Sequence, residues 1–304
     1  MIYSFRMPVV YLGTSGFSYR DWVGPVYPAD RPASDRLALY AERFPFLELN
    51  ATYYRPPEAG QMDRFARRAT QAGLSRLVVK LPGELTHRRP ETEEALTVRA
   101  DQLARGLAPL TAAGLLSGVL AQFPYSFHYT PDNRRYLADL AEALATRLND
   151  TRRFVEFRGD DWSRGSVADG LDRFGLTPVH VDLPALPRLP ASFVTDGIRP
   201  TRTVYLRMHG RNRDRWWTGD NASRYDYRYA EAELETVAEA IATAAADDLV
   251  EVVYVAFNNH FRGQAVDNAL MLGEMLRRRG VPVEPGDGGS PATPSSTEDS
   301  TRSD

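Results

Sequence analysis

Eight short apolar runs, many rich in β-branched residues, recur along this chain and constrain its fold more than any other feature. They are VVYLG (9–13), FLELN (46–50), RLVVKL (76–81), GVLAQF (118–123), RFVEFR (153–158), TPVHVDL (177–183), TVYLRMH (203–209) and VEVVYVAF (250–257). Their spacing averages roughly 35 residues, about one strand plus one helix. Amphipathic patterns with apolar residues at i, i+3 and i+4 fill most gaps: 36–44, 60–73, 99–114, 133–148, 230–246 and 265–280, the last ending on a Gly stop signal. Near-continuous apolar strands alternating with helices imply a parallel sheet covered by helices. Eight such units within one chain favour a closed (β/α)₈ TIM barrel, an α/β fold, over an open doubly wound sheet. No glycine-rich phosphate fingerprint follows the first run, which argues against a dinucleotide-binding sheet. Between runs six and seven, PALPRLPASFVTDGIRP (184–200) is too rich in proline for a convincing helix, so the barrel is expected to be irregular there.

A barrel places its chemistry at the C-terminal strand ends, and the polar residues of this chain gather at those ends. Run two ends with Glu48 and Asn50. Run three ends with Lys80, and His87 lies in the loop beyond it. Run four carries Gln122, run five Glu156 and Arg158, and run six His180 and Asp182. Run seven ends with Arg207 and His209, with Arg211 just beyond, and run eight leads into Asn258, Asn259 and His260. Strand side chains two apart point the same way. Glu48/Asn50, Glu156/Arg158, His180/Asp182, Arg207/His209 and Asn258/His260 are therefore each expected to point together into the mouth, because charges among the covering helices would be hard to sustain.

Composition removes several classes of function. Cysteine is absent, which excludes disulfides, thiolate nucleophiles and Cys-ligated zinc or iron–sulfur centres. A net charge of −3 gives no bulk reason to expect nucleic acid or membrane as a partner. The N-terminus has no long apolar core with a cleavage site, and no run approaches the ~20 apolar residues that span a bilayer. A soluble, cytoplasmic protein is expected. From Glu284 onward the chain is rich in Gly, Pro, Ser and Thr without large apolar side chains, so 1–283 is read as a single domain and 284–304 as a disordered tail.

Seven ordered blocks also carry a resemblance: GTSGFSYRDWVGPVYP (13–28), ELNATYYRPP (48–57), KLPGELTHRR (80–89), QFPYSF (122–127), EFRGDDW (156–162), YLRMHGR (205–211) and FNNHFRGQAVDNA (257–269). Together they resemble the YecE-like family, a domain of unknown function with a TIM-barrel fold. The resemblance implies the barrel and supplies no reaction. One departure is Gly159, where the family pattern carries an imidazole or similar polar residue.

The polar set supports several chemistries. Glu48 and Glu156 could act as an acid–base pair of the glycosidase kind, or be structural partners of Arg158, Arg207 or Lys80. With His180, Asp182 and His209 they also resemble a divalent-metal kit of barrel isomerases or nucleases, although no HExxH or close His–His spacing sharpens it, and no metal ligands or cofactor are assigned. Lys80, His87, Arg88, Arg158, Arg207 and Arg211, with Arg262 nearby, supply converging donors for a small anion such as a phosphate or carboxylate, unless ion pairing or solvent takes them. Phe17, Tyr19, Trp22, Tyr27, Tyr53, Tyr54, Phe123 and Phe127 are either a stacking wall or loop core. The long loop at 210–229, with two Trp and several Tyr and Arg, has the character of a lid or binding loop and is where a nucleic-acid or protein contact would lie.

The favoured reading is an enzyme, hydrolase- or lyase-like, for a small anionic, phosphorylated ligand. Glu48, Lys80, Glu156 and His209 would act in catalysis. Asn50, Tyr53, His87, Gln122, Arg158, Asp182, Arg207, Arg211, Asn258 and His260 would bind. A non-catalytic nucleic-acid or protein module and a metal-dependent isomerase or nuclease are the alternatives.

Overall fold

The computed structural model describes residues 7–286. Every apolar run forms a strand: β1 (Val9–Ser15), β2 (Phe46–Leu49), β3 (Arg76–Lys80), β4 (Leu116–Gln122), β5 (Arg152–Glu156), β6 (Leu176–Asp182), β7 (Thr203–Met208) and β8 (Val252–Phe257). All neighbours are parallel, and β8 pairs back onto β1 with Val9 opposite Val252, closing the barrel in sequence order. The fold is the TIM barrel that the spacing implies.

Helices form where the amphipathic patterns lie, at Arg36–Ala41, Ala59–Gln71, Glu93–Ala112, Pro131–Arg147, Glu231–Ala245 and Gln264–Arg278. Local chemistry fixes their ends. Thr92 and Thr130 accept hydrogen bonds from the Ala95 and Asn133 backbone N–H groups, each 3.2 Å away, satisfying donors that the first turn leaves free. Gly280 takes φ +74 at the end of the last helix, as its stop signal implies. A further helix, Gly165–Arg173, follows β5. Between β6 and β7 only Phe193–Asp196 is helical. The expected irregularity is there, and it leaves the outer face of β6 partly uncovered, with His180 half-buried.

The expected tail begins too early. The Glu284 backbone N–H donates to the Val10 carbonyl at 3.0 Å, and Val283 bridges to Val10, so backbone pairing carries the chain beyond 283. The rest of that expected tail, 287–304, lies outside the described residues. Among the described residues, no helix is long and apolar enough to cross a membrane.

Apolar contacts form two layers and a small separate patch of Val181, Leu183, Leu189 and Trp216. The larger layer packs helices against the outside of the strands. The smaller layer fills the barrel interior, where Tyr11, Phe46, Phe154, Tyr205 and Tyr254 form an aromatic floor, with Tyr11 and Tyr254 stacked at 5.4 Å between centroids. Gly13 on β1 leaves room for this floor: a Cβ there would sit 2.1 Å from the Phe46 carbonyl oxygen. Gly13→Ala should therefore cost at least about 2 kcal/mol. By contrast, Gly170 lies in a helix with nothing near its would-be Cβ, and Gly170→Ala should stabilise by about 0.5–1 kcal/mol. Urea denaturation of the two variants checks both signs.

Candidate functional site

Above the aromatic floor the strand period of two lifts polar groups into the mouth. Phe46 is followed inward by Glu48 and Asn50, Phe154 by Glu156 and Arg158, Tyr205 by Arg207 and His209, and Tyr254 by Ala256, Asn258 and His260. Val78 leads to Lys80 and Leu120 to Gln122. A cavity of about 720 Å³ opens over these residues. Asn50, Tyr53, Lys80, His87, Gln122, Arg158, Arg207, Asn258 and His260 all line it, so nine of the expected site residues share one wall.

Glu48, Glu156 and His209 lie buried and do not line the cavity. Arg207 joins the two glutamates. Its Nε donates to Glu48 Oε2 at 2.8 Å and its Nη2 to Glu48 Oε1 at 2.7 Å, a bidentate grip. Its Nη1 donates to Glu156 Oε2. Tyr205 OH also donates to Glu48, and Arg158 Nε lies 2.7 Å from Glu156 Oε1. Burial is the largest single influence and raises both carboxyls, but Arg207 with Tyr205 and Ser15 at Glu48, and Arg207 with Arg158 and His209 at Glu156, together outweigh it and hold Glu48 below, and Glu156 well below, the usual carboxylate range. Both stay ionised, which removes the protonated acid that a glycosidase-type pair requires.

Asn258 Nδ2 lies 3.0 Å from His209 Nδ1. With that amide donating, the ring proton sits on Nε2, which faces Glu156 Oε1 at 3.3 Å. Burial, reinforced by Arg158, pushes His209 down to about 3, so the ring is neutral at neutral pH. Burial likewise lowers His87, to about 4, with Lys80 contributing. Lys80 is drawn down to about 7, first by burial and then by Arg207, against the opposing pull of Glu48 and Glu156. Its Nζ lies 4.5 Å from the centre of the Tyr53 ring.

Two expected site residues stand outside this wall. On β6 the inward residues are Val179 and Val181, the latter packed with Leu189 and Trp216, so His180 and Asp182 point outward. The outward carboxylate is sustainable because it is paired. Arg211 Nε and Nη2 each reach Asp182 at 2.9 Å, Tyr229 OH donates to it at 2.6 Å, and Ser192 donates as well. Arg211, turned away after Gly210 at φ +83, also holds Glu233 at 2.9 Å. Asp182 and Arg211 thus brace the wall behind β6 and are corrected as mouth residues. Asn259 also faces away, its Nδ2 donating to the Tyr227 carbonyl and to Asn268, both at 2.9 Å.

The aromatic expectation divides. Phe17, Tyr19, Tyr53 and Tyr54 line the cavity, whereas Trp22, Tyr27, Phe123 and Phe127 are core. Tyr19 stacks on His260 with centroids 4.3 Å apart and 3° between planes, and Trp22 Nε1 donates to the His260 carbonyl at 2.6 Å, tying the loops after β1 and β8 together. Residues not singled out from sequence also contribute: Tyr125, Trp216, Trp217, Arg224 and Tyr225. Four of them belong to the 210–229 loop, whose aromatic and basic content was the available signal.

A family described as "Protein of unknown function DUF72" matches residues 11–293. The chain belongs to the DUF72 family. It is similar to the UPF0759 protein YunF of Bacillus subtilis (strain 168), 25% identical over 88% of this chain and 95% of that protein. Among solved structures it is similar to the DUF72 family protein TM1631 of Thermotoga maritima MSB8, with 36% identity, TM-score 0.76, and coverage of 88% of this chain and 99% of that one. The DUF72 family protein EF0366 of Enterococcus faecalis V583 shares the fold at 22% identity and TM-score 0.69, covering 90% of this chain and 99% of that one.

The buried cluster of this DUF72 barrel sets a stability requirement. Arg207→Ala leaves two buried carboxylates without their shared partner and should cost about 3–5 kcal/mol, read by urea denaturation. Acid should also unfold the wild type. The lowered carboxyls stabilise fully above the ordinary carboxylate range, and that stabilisation is lost as pH falls through their folded values. His209 adds the same sign: between 6.5 and about 3 the unfolded chain takes up a proton that the folded ring refuses. The denaturation midpoint should therefore fall steadily from pH 6.5 to pH 4.

Proposed function

We propose that this DUF72 protein, in its YecE-like form, is a cytoplasmic enzyme of lyase- or hydrolase-like chemistry acting on a small anionic, phosphorylated ligand in the mouth of the barrel. The observation that carries the reading is the sign of the cavity wall. The sequence holds 40 Asp and Glu, yet among the described residues none lines the cavity, while Lys80, Arg158, Arg207 and Arg224 do. A cationic wall in an acidic chain concentrates anions locally.

The donors are not all engaged. Arg158 meets Glu156 through Nε, and its two terminal nitrogens have no hydrogen-bond partner among the described residues. Arg224 carries a buried Nε without a partner. In this reading Arg158 and Arg224 hold a phosphate or carboxylate, and Asn50, Gln122 and Asn258 orient the polar remainder. Arg207 acts from below, fixed by its carboxylates. Tyr54 and Trp217, 73% and 51% exposed, offer aromatic faces at the rim. They also favour a second reading, in which the 210–229 loop stacks the bases of a single-stranded nucleic acid without catalysis.

The metal-dependent alternative finds no support in the donor geometry. Glu48 and Glu156 are taken by arginines, while His180 and Asp182 lie on the other side of the strand wall. Among the described residues, no three His, Asp or Glu side chains are grouped to hold a metal ion.

A thermal-shift panel of ribose 5-phosphate, glycerol 3-phosphate, AMP, citrate, neutral sugars and an oligonucleotide tests the site. An anion at a hundred times its dissociation constant should stabilise by about 2.7 kcal/mol, and the shift should be lost in Arg158→Met. Response to neutral sugars alone would defeat the reading. A response to the oligonucleotide alone, falling steeply with salt, would favour the second one.

A further inference from the structure

Of the 37 lysine and arginine side chains in the sequence, Lys80 alone is a lysine. Arginine serves at the exposed ion pairs, such as Arg31–Asp35 and Arg228–Asp267, and at the buried clamp of Arg207. A guanidinium carries charge and forked donors as well as an ammonium does, but it does not lose its proton in proteins and offers no amine lone pair. The one side-chain amine of this chain is in the cavity wall.

The surroundings of that amine are those of a reactive group. The carboxylates beneath it are engaged by Arg207 and Arg158. Among the described residues Lys80 Nζ makes no ion pair or hydrogen bond, and its near neighbour is the Tyr53 ring. His87 packs edge-to-face with the same Tyr53 ring, 4.9 Å between centroids, and also lines the cavity.

We propose that Lys80 is a nucleophile that forms an imine with the carbonyl carbon of a small anionic aldehyde or ketone bound in the mouth. The proposal rests on the anion-binding reading above and names its substrate class. The Nζ lone pair attacks the carbonyl carbon while the π electrons move to oxygen. Both amine protons then leave with that oxygen as water, and the carbon is left doubly bonded to Nζ. Protonated from solvent, the imine withdraws electrons from an adjacent C–C or C–H bond, the step a lyase needs. His87, neutral beside the same ring, is placed to take a proton released there. Water adds back to release product and restore the amine. A lysine drawn down to about 7 is about half unprotonated at neutral pH, which supports the attack.

The chain's single lysine makes the test direct. The full-length protein is incubated at pH 7 with dihydroxyacetone phosphate, and separately with glyoxylate, then reduced with sodium borohydride and mapped by peptide mass spectrometry. The expected result is a reduced adduct on the Lys80 peptide. It should form on the order of a hundredfold faster than on free Nα-acetyl-lysine, be slowed by inorganic phosphate, and be absent in Lys80→Arg. No adduct at Lys80 with either probe, or a rate equal to that of the free amine, would overturn the proposal. The thermal shift with glycerol 3-phosphate, which has no carbonyl, separates the two layers. A shift without an adduct removes the imine and leaves the anion site standing. An adduct indifferent to phosphate keeps the imine and removes the anion site.

Discussion

Arg207 is the interaction on which the mouth of this barrel depends. It is 1% exposed and bonds both Glu48 and Glu156, which are fully buried. Without it, two like charges would face each other in a poorly solvated interior, an arrangement that drives one to take up a proton. With it, and with Arg158 at the second glutamate, the buried layer carries two negative and two positive charges. Tyr205 and Ser15 at Glu48, and His209 at Glu156, complete the surroundings of the carboxylates. Lys80 is set against this balanced layer. Its carboxylate neighbours already have partners, so the attraction that usually keeps a lysine protonated is weakened while burial and Arg207 act fully.

The vertical order of the site follows from the same arrangement. An aromatic floor closes the barrel below, the ionic layer lies on it, and amides and imidazoles face the cavity above. The floor gives the ionic layer a dry lower boundary, which strengthens each contact within it. The carboxylates occupy the deep position and the unengaged cationic donors the shallow one, so a ligand entering the mouth meets cations first. A neutral sum and a cationic surface coexist because the two signs sit at different depths.

Most of the barrel was legible because strand burial leaves a direct mark. A parallel strand enclosed on both faces reads as a continuous apolar run, and all eight runs became strands with ends shifted by a residue or two. The period of two then placed Glu48/Asn50, Glu156/Arg158, Arg207/His209 and Asn258/His260 correctly, because each begins from an aromatic floor residue of fixed parity. On β6 the rule of common direction held, but its sense was hidden. His180 and Asp182 do point together, yet outward, since Val179 and Val181 take the interior. Nothing local distinguishes THE inward set there, because TPVHVDL alternates apolar and polar residues whichever face is buried. What makes an outward Asp182 tolerable, the Arg211, Tyr229 and Ser192 shell, is assembled from positions up to 47 residues away. Arg211 was unreadable for the same reason: its direction depends on the turn at Gly210 and on a carboxylate from another strand.

The loop at 210–229 shows where composition helps and where it stops. Its aromatic and basic content pointed to the mouth, and Trp216, Trp217, Arg224 and Tyr225 reach it. Composition could not divide the tryptophan pair, in which Trp216 is buried under Val181 and Leu189 while Trp217 is half-exposed against Tyr125. That division depends on the inward valines of β6, the strand without a covering helix of ordinary length after it. The polar gap that β6 leaves in the mouth is thus filled by an apolar patch, and the loop after β7 lies on that patch. That patch also carries a cation, because the Arg158 guanidinium lies over the Trp216 ring, 5.6 Å from its centre. Charge and aromatic face therefore meet at one place in the cavity, a pairing that the same irregularity between β6 and β7 creates.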